Sequence, residues 1–166
     1  MIKRSNGAPK IRRQAGVAAV EFAIVLPVVL LLMLATAELG RAFYQYNTLA
    51  KAVRDGARYS STVALNGAGA FKDIASPEWA AVVDSVKKLV VYGADCGGSC
   101  DPNKKLLYGL AESDVSVNQI APLHVQVTAS YTYDSIFPVI PSFGFGAGDI
   151  VVDGVVLQAA NTMRAL

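Results

Sequence analysis

Hydrophobic and polar positions change period three times along this chain of 166 residues. From Val17 to Ala37 there are 21 residues, nearly all apolar, whose only ionisable group is Glu21. At about 1.5 Å rise per residue they reach roughly 31 Å, the thickness of a hydrocarbon core, which predicts one transmembrane helix. The run then becomes amphipathic. Leu39, Ala42, Phe43, Tyr46, Leu49, Ala50, Val53 and Ala57 recur at steps of three and four, with Arg41, Gln45, Lys51, Arg54, Asp55 and Arg58 mostly on other faces. This predicts that the same helix continues out of the bilayer into a folded head. Pro27 lacks an amide proton and is expected to kink or loosen it.

Asn66-Gly67-Ala68-Gly69 reads as a linker after Tyr59-Ser60-Ser61. A second helix is predicted from Pro77, capped by Ser76, with Trp79, Val82, Val83, Val86 and Val90 as its apolar stripe and Gly93 as its stop. The period falls to two at His124–Asp134, where Val125, Val127, Ala129, Tyr131 and Tyr133 alternate with polar residues. Asp114–Asn118 and Val155–Arg164 read as its partners, predicting three mainly antiparallel strands packed on the extended helix. The fold class is therefore α+β, divided into a basic leader at 1–16, a transmembrane helix at 17–37, its amphipathic extension at 38–61 and a head at 62–166.

Composition agrees with an anchored chain: 53% of residues are hydrophobic, and the mean hydropathy of +0.39 is high for a soluble domain. The net charge of +2 conceals an asymmetry, because Lys3, Arg4, Lys10, Arg12 and Arg13 give the first 16 residues +5 and leave −3 for the rest. Basic residues before a first membrane helix stay in the cytoplasm, which predicts an outside head. The block is short and joined to a membrane segment, a setting that argues against nucleic-acid binding. Three fates of the N-terminus compete on residues alone. They are signal-peptidase cleavage after Ala35-Thr36-Ala37, an uncleaved anchor, and cleavage at Gly16. The first fits poorly, since its apolar region exceeds the usual length and holds Glu21 and Pro27.

Gly16 followed by Val17-Ala18-Ala19-Val20-Glu21-Phe22 resembles the processing site of type IV pilin-like proteins. Taken together, G-x-A-x-V-E-F, Pro27 within the apolar run, Glu38-Leu39-Gly40-Arg41 at its exit and Ala52-Val53-Arg54-Asp55-Gly56-Ala57-Arg58-Tyr59 resemble the N-terminal signature of TadE-like pseudopilins of tight-adherence (Flp) pilus systems, over Gly16–Ser61. The resemblance implies a pilin-like layout and a prepilin peptidase that cuts after Gly16. Val17 then becomes the terminus and Glu21 the fifth residue, meeting the amine of a neighbouring subunit. A bend at Pro27 would be used in assembly or merely tolerated. Implied partners are the major Flp pilin, a companion pseudopilin and the inner-membrane assembly platform, with the head in the periplasm. The implied role is to initiate, prime or tip the pilus. Independently of the family, a carboxylate among lipid tails costs about 2.5 to 3.5 kcal/mol and persists chiefly where a partner or function needs it. Snorkelling of Glu21 to the cytoplasmic interface is the plainer alternative.

Cys96 and Cys100 enclose Gly-Gly-Ser, and an even pair in a glycine-rich turn outside the cytoplasm is most simply a local disulfide. Asp95, Asp101 and the distant His124 make a poor zinc set, and redox chemistry of the thioredoxin kind needs one residue fewer between the cysteines. His124 is the single histidine, and no nucleophile elbow accompanies it, so neither an enzyme nor a cofactor is expected. Phe143–Asp149, "FGFGAGD", is read as a flexible turn rather than a phosphate loop. Ile136-Phe137-Pro138-Val139-Ile140-Pro141 with Phe143 and Phe145 is apolar and unsuited to regular structure, and either caps the core or faces a membrane or a subunit. The functional alternative is an uncleaved, membrane-anchored periplasmic binding module.

Overall fold

The computed structural model describes residues 12–137, 139–140, 150–151 and 154–166. Its dominant element is α1, Arg12–Val63, 52 residues of uninterrupted α-helix with Pro27 inside. Within it lies the one helix among the described residues that is long and apolar enough to cross a membrane. Its most apolar window has a mean hydropathy of 2.8 and no buried residue.

Residues 64–71 turn the chain back tightly rather than acting as a slack linker. Leu65 and Phe71 form an antiparallel bridge, and the Asn66 carboxamide oxygen accepts from the Ala68 and Ala70 amides at 3.0 Å. Asparagine suits this place because its short side chain can satisfy the amides of its own turn. Helix α2, Pro77–Tyr92, follows as its start and stop signals predict: the Ser76 hydroxyl accepts from the Trp79 amide, and Gly93 closes the helix at φ 77°. Trp79, Val82, Val86, Val90 and Val91 are buried, and Val83 packs beside them half-buried.

The sheet has the order β1-β2-β5, all antiparallel, with β1 at Val115–Ala121, β2 at His124–Thr132 and β5 at Val156–Arg164. Val125, Val127, Ala129 and Tyr131 of β2 point inward, and His124 and Thr132 lie exposed on the other face. The sheet and α2 together enclose Leu49, Ala52, Val53 and Ala57 of α1. The two helices pack tightly at Gly56, where an added Cβ would stand 2.7 Å from Val90 Cγ2 and 3.3 Å from Val86 Cγ1. Only a residue without a side chain lets α2 lie this near. The architecture is α+β, a long apolar helix first and a small antiparallel sheet last.

A second ribbon pairs β3, Val139–Ile140, with β4, Ile150–Val151. Part of the apolar segment expected to be irregular is therefore paired. The turn read at 143–149, and with it Phe143 and Phe145, lies outside the described residues, as do Pro138 and Pro141.

Candidate functional site along the long helix

The N-terminal residues of interest lie on open helix surface. Gly16, Val17, Val20, Glu21 and Ile24 form one strip of α1, with steps of three and four that stack side chains on one side of a helix. Val17 and Phe22 are exposed, and Glu21 shows no hydrogen bond among the described residues. A Cβ built on Gly16 meets nothing within 4 Å, and the same holds for Gly40. Glycine inside a helix is less favourable than alanine by about 1 kcal/mol. Packing explains Gly56, whereas no contact among the described residues explains Gly16 or Gly40.

The second cluster sits where the apolar run ends. Glu38 is buried, its side chain covered by the segment that follows β2. Its Oε1 accepts from the Tyr133 hydroxyl at 2.8 Å and from the Ile136 amide at 2.9 Å. The Tyr133 hydroxyl also lies 3.3 Å from the Glu38 carbonyl oxygen. Burial, then the hydrogen bond to Glu38 and its charge, push the Tyr133 phenol up to about 12, and the Arg41 charge opposes them. The Arg41 guanidinium stands 6.0 Å from the centre of the Tyr133 ring, at the outer reach of a cation–π contact. A buried carboxylate is tolerable only where donors replace water, and here two do so.

This cluster corrects the amphipathic pattern read below Leu49. Glu38 and Gln45 are buried there, while Leu39, Phe43 and Tyr46 are exposed. At about 100° per residue the side of α1 that meets the head runs through Glu38, Gln45, Leu49 and Gly56, turned by about a quarter-turn or more from Leu39, Phe43 and Tyr46. The apolar residues on the other sides follow the period of the helix without facing the core. Sequence reasoning noted Glu38 only as part of the exit motif. A signal was nonetheless available, because Tyr133 continues the inward alternation of β2 and brings a hydroxyl toward whatever that end of the sheet covers.

Cys96 and Cys100 form a disulfide in the exposed loop after α2, with Cα atoms 5.4 Å apart. Beside it the Gly97 amide and then the Ser85 hydroxyl hold the Asp95 carboxyl below its ordinary range. Among the described residues no group of His, Cys, Asp and Glu is arranged to hold a metal ion. His124 lies exposed at the start of β2, at the opposite end of that strand from Tyr133, and belongs to neither cluster.

No curated protein and no solved structure matches the chain. The family model for TadE-like protein matches residues 16–58, from the glycine that no contact explains to just past the close approach at Gly56. Over this stretch of its long helix, the chain is similar to the TadE-like proteins.

Proposed function

We propose that this chain is a minor pilin of a tight-adherence pilus, processed after Gly16 and acting without catalysis in initiating, priming or tipping the fibre. The observation that carries the reading is the contrast between glycines. Gly56 is needed by the chain's own packing, but Gly16 has open space around it. A peptidase subsite that excludes side chains would supply the reason for a glycine there, and the family match that begins at residue 16 supports it. The Gly16–Val17 bond lies within α1, so cleavage there calls for local unwinding, and a glycine lowers the cost of leaving the helix.

In this reading Val17–Ala37 anchors the protein in the inner membrane, with the leader cytoplasmic and the head periplasmic. Glu21, exposed and set in an apolar strip, is the contact for the terminal amine of a neighbouring subunit. The major pilin, a companion pseudopilin and the assembly platform are the proposed partners. Coexpression with a prepilin peptidase, followed by intact-mass measurement, tests the assignment: Val17 should lead the mature chain, and Gly16→Ala should block its appearance. A chain beginning at Met1 after coexpression, or at Glu38, would refute it.

A further inference from the structure

The pair Ile136 and Phe137 is left unexplained by assembly through the apolar helix. Both are apolar and exposed to solvent, Ile136 at 62%. Their height on the molecule is fixed from below. The Ile136 amide donates to Glu38, and Glu38 is the first residue beyond the apolar run that ends at Ala37. Side chains on a helix lean toward its N-terminus, so the Glu38 carboxylate reaches back along α1 toward that run, and Ile136 is held at or near its edge. Around the rest of the exit, Leu39, Phe43, Tyr44 and Tyr46 are exposed on other sides of α1. By helix rise Phe43 lies about 9 Å beyond Ala37, and its ring leans back toward the layer of roughly 5 to 8 Å that headgroups occupy on each side of a bilayer. Aromatic residues with one apolar and one wet end gather at this depth.

From this placement we infer that Ile136 and Phe137 insert into the interfacial layer of the lipid bilayer, completing with Leu39, Phe43, Tyr44 and Tyr46 an apolar collar around the helix exit. The inference rests on the anchor reading of Val17–Ala37. Glu38 acts as the positioning group: it holds the segment after β2 against α1 and so sets its depth. The head is then held at the membrane by two attachments, a helix and a loop, which fixes its tilt as a single flexible stalk would not.

Depth-resolved fluorescence quenching tests this on the full chain in vesicles of phosphatidylcholine and phosphatidylglycerol. Trp79, the single native tryptophan and a buried one, gives a constant background. Phe137→Trp should add blue-shifted emission that is lost most strongly to lipid brominated near the ester end of its chains. Leu30→Trp should be quenched by lipid brominated near the methyl end, and its failure to respond would overturn the anchor reading itself. Ile120→Trp, exposed at the far end of the sheet beside the β1–β2 turn, should respond to neither lipid. A quenched Leu30→Trp with an unquenched Phe137→Trp would overturn the collar while leaving the anchor intact. So would emission at 137 that shifts only as protein density rises, the sign of a second copy covering the patch. Adding Glu38→Ala to Phe137→Trp should reduce the quenching, and Tyr133→Phe serves the same purpose where Glu38→Ala does not fold. Undiminished quenching in a folded variant would remove Glu38 as the group that sets the depth.

Discussion

Removing the Tyr133 hydroxyl should reveal how firmly the head is clamped to the helix. In Tyr133→Phe the buried Glu38 keeps the Ile136 amide but loses its 2.8 Å donor. A hydrogen bond to a charged group contributes about 1.5 to 3 kcal/mol, so a loss of stability of that size is expected. Glu38→Ala removes the side-chain acceptor of the Tyr133 hydroxyl and of the part-buried Ile136 amide, at up to about 1 to 3 kcal/mol each, with the hydroxyl keeping its 3.3 Å approach to the residue 38 carbonyl. The double variant should lose less than the two singles together, by a coupling of about 1.5 to 3 kcal/mol. Urea unfolding in detergent micelles, followed by the emission of Trp79, measures all three. The pH dependence has a definite sign. Because the folded phenol titrates at about 12, above its ordinary value near 10, its contribution is complete below pH 10 and is lost as pH rises toward 12. Tyr133→Phe should abolish that alkaline loss. Additivity within about 0.5 kcal/mol, or an unchanged alkaline limb, would refute the clamp.

Gly56→Ala should destabilise by about 1 to 2 kcal/mol in the same unfolding assay, since overpacking against the stiff Val90 and Val86 outweighs the gain in helix propensity. Gly40→Ala, with open space at its Cβ, should leave stability unchanged or raised by up to about 1 kcal/mol. Replacing Cys96 and Cys100 together by serine should cost at most about 2 kcal/mol, the chain-entropy value for so short a loop, and intact mass with and without reductant should show the native pair closed. Ser76→Ala should cost about 1 kcal/mol through loss of the cap on the Trp79 amide, read from the urea midpoint.

Where local chemistry decides the outcome, the sequence announced it. Ser76, Pro77 and Gly93 bound α2 because capping and a left-handed stop act within one turn. The alternation from Val125 to Tyr133 marked the central strand because one face of the sheet is buried. Long-range chemistry was harder to read. Leu39, Phe43 and Tyr46 have the right spacing for a core face, yet the side that meets the head carries Glu38 and Gln45. Nothing local distinguishes the two sides, because the partner that makes Glu38 tolerable lies 95 residues away. Likewise, Gly56 looks like any helical glycine until α2 is folded against it.

On the proposed reading, the two carboxylates of the apolar helix and its exit separate what the fold requires from what assembly requires. Glu38 is buried and has its donors, Tyr133 and Ile136, in its own chain, so its reason is internal. Glu21 lies exposed in an apolar strip and shows no donor among the described residues. A charge at this depth is expensive, and on the proposed reading its reason lies between subunits. Gly56 and Gly16 divide the same way, one crowded by valines and the other open. Glu21→Ala discriminates between them directly: it should leave membrane insertion and the urea midpoint unchanged while reducing crosslinking to neighbouring subunits and impairing piliation. Glu38→Ala should do the reverse on stability, lowering the midpoint whether or not any partner is present. If Glu21→Ala instead destabilises the isolated protein, or crosslinks and forms pili as well as the parent, the carboxylate has no role between subunits and the division fails.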